Sequence, residues 1–348
     1  MFDLWFWIVA VMLTAYVVLD GYDLGAGALH LAVARTDAER RTVLAAVGPF
    51  WDANEVWLLA AGGALFVAFP RVLASGLSGF YLAIFLVLWC LILRAVAIEF
   101  RSHLSEGLWR GFWDAGFAAA SALLPVLFGA ALGNVIRGVP LDADGWFELP
   151  LFTTFLPADP PGILDGYTVL AGAFALTALL AHGAAFLAWR TQGEVQARSR
   201  ALAGRLLVAL AALWPMTTIA THAVNPDLLP ALPGRPLAWL GLALAAGGLA
   251  AAILAVRRGR DLGAFAGSCA FLAGMLVATA ACLHPVLLRS IADPARSITA
   301  ATGGGDARGL ATALGWWAVG FPIAVGYFVT LFRLHRGKAV AARDGEGY

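Results

Sequence analysis

Nine apolar runs, each close to the length that crosses a lipid bilayer, divide almost the whole chain. The 348 residues are 61% hydrophobic and only 13% charged, whereas soluble domains carry about 25% charged residues. Because a membrane helix needs roughly 20 mostly apolar residues, the pattern predicts an all-α membrane protein with a single domain over residues 1–348. The predicted spans are 5–33, 43–69, 78–100, 112–133, 163–189, 202–223, 236–256, 262–288 and 310–334.

The basic residues are distributed unevenly between the connecting segments. Sixteen of the 23 lie in or beside the segments that follow odd-numbered spans, six lie in the alternate segments, and Arg94 lies within a span. Since cytoplasmic loops are enriched in Lys and Arg, the N-terminus is predicted outside and the C-terminus in the cytoplasm. The longest outside loop, about residues 134–162, should form an irregular cap that contains Asp142, Asp144, Glu148 and Asp159. The first run is too long for a signal-peptide core and should remain as a membrane helix.

Four carboxylic acids lie inside the first two predicted spans, where charge is costly. A carboxylate at the bilayer centre costs roughly 2.5–3.5 kcal/mol on insertion scales, so each one needs a proton, a partner or water. Asp52 and Glu55 are three residues apart and therefore lie near one another on the helix surface. Asp20 and Asp23 repeat this spacing in the first span.

The third predicted span carries Arg94, with Glu99 near its inner end. Under the predicted orientation, both lie in the same cytoplasmic half as Asp52 and the acids of the first span, while Glu55 lies nearer the middle. One interpretation is a structural network of ion pairs that holds three helices together. In that case Arg94 and Glu99 could also extend toward the interface. The other interpretation is a proton pathway from the cytoplasm, because acids inside a membrane commonly mark such routes.

The histidines and cysteines indicate no clear cofactor site. His182 lies within a span and has no histidine at matching depth, whereas His222 and His284 lie near the outer ends of two spans. Haem ligation by His182 or by that pair remains an alternative, although the scattered positions disfavour it. The three cysteines lie in apolar runs and form no metal motif. The sequence also lacks P-loop and zinc-hydrolase motifs, and nothing in its charge indicates a nucleic-acid partner.

Several motifs, in one order, resemble subunit II of cytochrome bd-type quinol oxidases, including the cyanide-insensitive branch. The specific matches are confined to the first third of the chain. Weaker similarities follow in FGAALGN (128–134), GVP (138–140) and RTQGE (190–194). The specific motifs are DGYDLGAG (20–27), WDANEVW (51–57), AGGALF (61–66), SGFY (78–81) and the segment from Arg94 to EFRS (99–102).

The resemblance implies a nine-helix subunit arranged as two four-helix bundles plus one peripheral helix. Such a chain is the partner of a haem-bearing subunit I, which oxidises quinol and reduces oxygen to water in the inner membrane of a bacterium. Haems b and d are expected in subunit I and none in this chain. Some members hold a structural quinone in subunit II, and small single-helix accessory subunits can join the complex.

The resemblance also assigns roles to individual residues. In the family, the aspartate of the Trp-Asp motif, which is Asp52 here, contributes to the proton route toward the haems. Trp57 matches a tryptophan near a proposed oxygen access path. Glu99 stands where some relatives have Asp, which keeps the charge. The full set predicted for the proton route is Asp52, Asp20, Asp23, Glu55, Arg94 and Glu99.

Two other classes of protein compete with this interpretation. A stand-alone proton-coupled transporter would also bury acids, but transporters usually show broken helices in two corresponding halves. Here only one half carries acids. A haem-binding cytochrome in its own right is disfavoured by the positions of the histidines.

The charge asymmetry gives a direct test of orientation. A reporter fused after Tyr348 should be active only in the cytoplasm, and a reporter inserted in the acidic loop at residues 142–159 should be active only outside. Alkaline phosphatase and green fluorescent protein fusions measure both locations. The reverse pattern would also remove the argument that the intramembrane acids lie in the cytoplasmic half.

Overall fold

A computed structural model of the chain describes residues 1–154 and 161–340. Asp159 of the acidic loop and the fusion site at Tyr348 lie outside the described residues. Helices dominate, and one short antiparallel hairpin joins Val286 to Thr299. The elements are α1 (Phe2–Val33), α2 (Asp37–Val47), α3 (Trp51–Ala68), α4 (Pro70–Gly79), α5 (Tyr81–Phe100), α6 (Gly107–Arg137), α7 (Gly166–Arg190), α8 (Gly193–Val224), α9 (Pro236–Arg257), α10 (Asp261–Leu283), β1 (Val286–Leu288), β2 (Ile298–Thr299) and α11 (Ala307–Leu334).

Eight helices within the described ranges are long and apolar enough to cross a membrane, and the bent pair α3–α4 makes a ninth candidate. The two members of this pair meet at an angle of 119°. The bend falls at Phe69, whose backbone is not helical (φ −136°, ψ 60°). Pro70 follows and begins α4, and a residue that precedes proline is disfavoured in the α conformation. The predicted all-α membrane fold is therefore confirmed.

The second predicted span, 43–69, was wrong as a continuous helix. Its first residues belong to α2, which begins with a capping box between Thr36 and Glu39. A turn at Gly48, Pro49 and Phe50 then separates α2 from α3. Proline inside a helix removes one backbone hydrogen bond and clashes with the preceding turn, which explains the break. Span 262–288 was also too long, because α10 ends at Leu283 and residues 286–288 form β1.

The helices form two groups of four. The first bundle contains α1, α3, α5 and α6, and the second contains α7, α8, α9 and α10. Helices α1 and α6 of the first bundle pack against α7 of the second. Helix α11 lies outside both bundles and packs on α3. This arrangement confirms the expected two bundles and peripheral helix.

The two ends of the described chain lie on opposite faces of the molecule. At one face, called here the Asp114 face, His30 near the end of α1 contacts Asp114 near the start of α6. At the opposite face, Asp3 near the start of α1 contacts His284, which follows α10. Lys338 returns the chain to the Asp114 face, where it donates to the carbonyl of Trp189 at 2.6 Å. An odd number of crossings, such as the nine candidates give, separates the ends in this way.

Small residues bring the helix backbones into direct contact. In the second bundle, a Cβ atom added to Gly248 of α9 would lie 2.5 Å from the backbone nitrogen of Phe271 and 2.7 Å from the carbonyl oxygen of Gly267 on α10. Between the bundles, Gly25 of α1 lies directly against the backbone of α7, where Gly183 makes the reciprocal approach. Contacts this close exclude any side chain and allow extensive backbone packing.

Two adjacent glycines of α9 provide a matched test of this packing. Gly248→Ala should lower the apparent melting temperature by several degrees, because the new methyl group has no room against α10. Gly247→Ala should be neutral or slightly stabilising, since no atom lies within 4 Å of its added Cβ and Ala favours the helix. Thermal unfolding of the detergent-solubilised protein, followed by size-exclusion chromatography, measures both variants. Equal effects would contradict the close-packing argument.

Candidate functional site

A buried arginine joins three helices of the first bundle inside the membrane region. Arg94 of α5 is fully buried, and its Nη1 donates to Asp20 Oδ1 of α1 at 2.7 Å. Its Nη2 donates to Glu55 Oε1 of α3. Asp20 is also fully buried, whereas the side chain of Glu55 is 21% exposed. Three of the predicted site residues are therefore brought together.

A second set of contacts joins α3 to α1 beside this ion pair. The side-chain amide of Asn54 donates to Asp23 Oδ2 at 2.7 Å and to the hydroxyl of Tyr22 at 2.8 Å. It also lies 3.2 Å from the carbonyl of Leu19. Asn54 stands within the WDANEVW motif (51–57), but the sequence pattern assigned it no role. Its position between Asp52 and Glu55 was the signal that could have identified it.

This polar region, called here the Arg94 cluster, lies well inside the membrane-length part of α1. Asp23 precedes the end of α1 at Val33 by ten residues, which corresponds to roughly 15 Å at 1.5 Å per residue. The cluster contains the three carboxyl groups of Asp20, Asp23 and Glu55 but one guanidinium. Four buried atoms of the cluster have no hydrogen-bond partner among the described residues, namely Asp20 Oδ2, Asp23 Oδ1, Asn54 Oδ1 and Arg94 Nε. Buried polar atoms of this kind are commonly satisfied by internal water.

Asp52 and Glu99 lie outside the Arg94 cluster. Asp52 is in the first turn of α3, but its side chain is exposed on the surface of the isolated chain. Glu99 is also exposed and lies five residues beyond Arg94 toward the Asp114 face. The acid that pairs with Arg94 from the second span is thus Glu55. That Asp52 and Glu99 act together with the Arg94 cluster in a proton route remains a prediction.

Trp57 lies on a different side of α3, at an apolar groove of about 360 Å³ between α1, α3 and α11. The indole packs against Phe321 and Phe328 of α11, with ring centroids 6.0 and 5.6 Å away. Val11 and Ala15 of α1 line the same groove. The groove can accept a small apolar molecule or a hydrocarbon chain, but it offers little for a polar ligand.

One further buried acid, Asp114 in α6, was not identified from the sequence. It accepts hydrogen bonds from His30 (2.7 Å), Arg101 (2.6 Å) and Arg40 (2.9 Å). Asp37 continues the network, with Arg101 Nη2 at 2.8 Å. Asp114 could have been identified from its position, because it lies two residues inside the predicted span 112–133 and follows closely on the basic segment after the third span. His30 and Arg101 each lie seven residues beyond members of the Arg94 cluster, about two helical turns.

Ser121 lies between these two polar regions. It is fully buried on α6, seven residues after Asp114, and its Oγ has no hydrogen-bond partner within the described part of the chain. It lies against Gly27, which falls between Asp23 and His30 on α1. A Cβ atom at Gly27 would overlap Ser121 Oγ, so a larger residue at position 27 would collide with Ser121.

At the rim of the Asp114 face, Glu39 holds α2 to α8. Arg198 donates to both carboxylate oxygens of Glu39 at 3.0 Å, and the backbone N–H of Arg35 donates to the same carboxylate at 2.6 Å. These hydrogen bonds lower the pKa of Glu39 to about 2, so the acid is ionised throughout the physiological range. This contact is structural and does not depend on pH near neutrality.

The described histidines do not converge on a common centre. In His182, Nε2 donates to the carbonyl of Val18 at 2.9 Å, and Nδ1 lies 2.7 Å from Ser268 Oγ. His284 contacts Asp3 at 2.8 Å. Residues 1–154 and 161–340 contain no group of three His, Cys, Asp or Glu side chains that could hold a metal ion. Both ring nitrogens of His182 are thus already engaged.

Solved structures provide one comparison for this fold. The structure of bd oxidase from Geobacillus thermodenitrificans superposes with a TM-score of 0.73. The match covers 96% of this chain and 98% of the other, at 17% sequence identity. At that identity the similarity establishes the fold alone.

Sequence comparisons establish the family. Cytochrome bd-I ubiquinol oxidase subunit 2 of Escherichia coli (strain K12) is 37% identical over 240 residues, which cover 67% of this chain and 62% of that protein. A probable cytochrome oxidase subunit 2 of Haemophilus influenzae is 30% identical over 324 residues, covering 85% and 83% respectively. The family model for cytochrome bd terminal oxidase subunit II matches residues 1–335. The chain therefore belongs to the cytochrome bd terminal oxidase subunit II family.

Proposed function

We propose that this chain is the partner of a haem-bearing subunit I in a quinol:oxygen oxidoreductase of a bacterial inner membrane. Family membership over residues 1–335 is the observation that carries this proposal. The chain contributes scaffold and a proton route from the cytoplasm, and the haems b and d belong to subunit I. The Asp114 face is cytoplasmic in this arrangement, which agrees with the predicted positions of the basic residues.

The surface of α3 supports the need for a protein partner. Asp52 and the partly exposed Glu55 are on this helix, beside the apolar side chains of Val56 and Leu59, which are more than half exposed. A carboxylate that faced lipid would cost roughly 2.5–3.5 kcal/mol at the bilayer centre. A polar or water-containing interface with another subunit removes that cost. We therefore assign the face of α3 that bears Asp52 to the contact with subunit I.

The Arg94 cluster supports a role in proton transfer. Its carboxyl groups outnumber its guanidinium, so charge balance within the membrane requires protons to be shared among them. Glu55 connects this buried set to the surface of α3 that bears Asp52. Toward the Asp114 face, Ser121 and then His30 with Asp114 continue the series of polar groups. The proposed route runs from the Asp114 face through the Arg94 cluster to Asp52 and the partner.

The remaining assignments concern small molecules. The groove at Trp57 is apolar and lies between α1, α3 and α11, which supports a path for oxygen. Its shape is equally suited to the hydrocarbon tail of a structural quinone. Both ring nitrogens of His182 already have protein partners, so we propose that this residue holds no haem.

Co-purification tests the overall assignment. An affinity tag on this chain should recover a haem-bearing membrane protein that oxidises quinol and consumes oxygen, and the separated chain should show no haem absorption bands. Absorption spectroscopy, protein identification by mass spectrometry and an oxygen electrode give the three readouts. Recovery of a lone chain that moves protons across vesicles would instead favour the transporter alternative.

Asp52→Asn tests the proton route. The substitution keeps the size of the side chain and removes its titrating group, so quinol oxidase turnover per haem should fall by roughly tenfold or more. Assembly and haem content should persist, because Asp52 makes no ion pair within the described chain. Turnover and haem content should be measured in the same membranes.

Two further variants separate transfer from structure. Asp144→Asn, on the opposite face, should leave turnover unchanged. Asp20→Asn should reduce the yield of the complex, since it leaves Arg94 with a broken buried pair at a cost of about 3–5 kcal/mol. Normal turnover per haem in Asp52→Asn would overturn the relay proposed for this residue.

A further inference from the structure

Four arginines gather at one corner of the Asp114 face, in the second bundle. Arg257 is the last residue of α9, Arg258 and Arg260 lie in the turn before α10, and Arg205 is on α8, twelve residues after Gly193. Helices α8 and α9 meet here, because Val256 Cγ1 lies 3.4 Å from the Cβ position of Gly204. All four side chains are exposed. We call this group the arginine corner.

The arginine corner has no internal counter-charge, unlike the six arginines of the same face that form ion pairs. Within the described ranges, none of its four side chains has a carboxylate within 4.0 Å or a side-chain hydrogen bond. The neighbouring acid, Asp261, is already held by Arg200 at 2.7 and 2.8 Å and by Gln196 at 2.8 Å. Other arginines of the same face do form ion pairs, namely Arg40, Arg41, Arg101, Arg110, Arg198 and Arg200.

Membrane topology explains why this face is basic, but it does not explain the missing partners. The positive-inside rule is satisfied equally well by arginines that are paired. Four like charges in one corner repel each other, and the repulsion is relieved when an external anion binds. A guanidinium fork matches the oxygen geometry of a phosphate group especially well.

The apolar residues next to the corner indicate where the rest of such an anion lies. Val208 follows Arg205 by three residues, and Leu254 precedes Arg258 by four, so each pair shares a helix face. Leu262 lies in the first turn of α10. These three side chains are 55%, 47% and 56% exposed. Basic groups at the interface above an exposed apolar strip fit a molecule with a phosphate head and hydrocarbon tails.

We propose that the arginine corner binds the phosphate headgroup of an anionic phospholipid, whose acyl chains lie along α8 and α9. Clusters of basic residues at the cytoplasmic ends of membrane helices bind such headgroups, and each residue strengthens binding by roughly fivefold. The site is in the second bundle, away from the face of α3 assigned to subunit I. The lipid therefore remains accessible in the assembled complex.

Equilibrium binding of a fluorescent phosphatidylglycerol tests the proposal. The purified complex in a neutral detergent should bind this lipid, and Arg257→Gln with Arg258→Gln should weaken the affinity by roughly 25-fold. The matched control is Arg333→Gln with Arg336→Gln, which removes the same charge from the end of α11 on the same face. That control should change affinity by less than about twofold. Size-exclusion chromatography verifies that both variants remain assembled.

The outcomes separate the lipid from other anions. Weak binding of phosphatidylcholine with the same acyl chains, and no displacement by excess inorganic phosphate, would support an anionic lipid site. Equal losses in the two double variants would overturn the proposal, because they would indicate general surface charge. Unchanged binding in the Arg257/Arg258 variant, or complete displacement by inorganic phosphate, would also overturn it.

Discussion

The contact between Arg94 and two carboxylates is the constraint on which the first bundle depends. A guanidinium cannot lose its charge inside a protein, so an arginine at this depth requires acidic partners. Asp20 supplies one from α1 and Glu55 supplies the other from α3. The ion pairs thereby fix the positions of three helices at one level. They also leave Asp23 and Asp52 free of Arg94, which makes those two acids available for other contacts.

The two bundles achieve their packing by different physical means. In the first, ion pairs and amide hydrogen bonds join α1, α3, α5 and α6 at two levels, around Arg94 and around Asp114. In the second, α9 and α10 pack through backbone contacts at residues such as Gly248 and Gly267. Polar side chains in its interior are few, with His182 and Ser268 as the main pair. The buried carboxylates of Asp20, Asp23 and Asp114 accordingly all belong to the first bundle.

Much of the fold followed from hydropathy, because membrane helices must be long, apolar and internally hydrogen-bonded. The exceptions fall at prolines. Pro49 breaks the second span and Pro70 bends its end, and neither effect changes the average hydropathy of the segment. The limits of α10 were missed for a similar reason, since β1 is as apolar as the helix before it.

The candidate site could be predicted only in part. Depth along a helix follows from sequence position, so Arg94 was expected at the depth of Asp20, Asp23 and Asp52, with Glu55 nearer the middle of the membrane. The direction in which a side chain points around the helix axis is harder to predict. A spacing of three residues separates Asp52 and Glu55 by about 60° around the axis of α3. That difference places Glu55 against Arg94 and Asp52 on the exterior. Asp114 was overlooked because its partners, His30, Arg40 and Arg101, come from three separate segments.

The approach of Gly25 to Gly183 has a mechanical consequence for the whole molecule. Where two helices touch backbone to backbone, neither can slide or rotate without collision, since no flexible side chain lies between them to adjust. Helices α1 and α7 therefore act as a single rigid spine that runs through both bundles. The long helix attached most loosely to that spine is α11, which lies outside both bundles and contacts α3 and, through Trp5 and Leu310, α1.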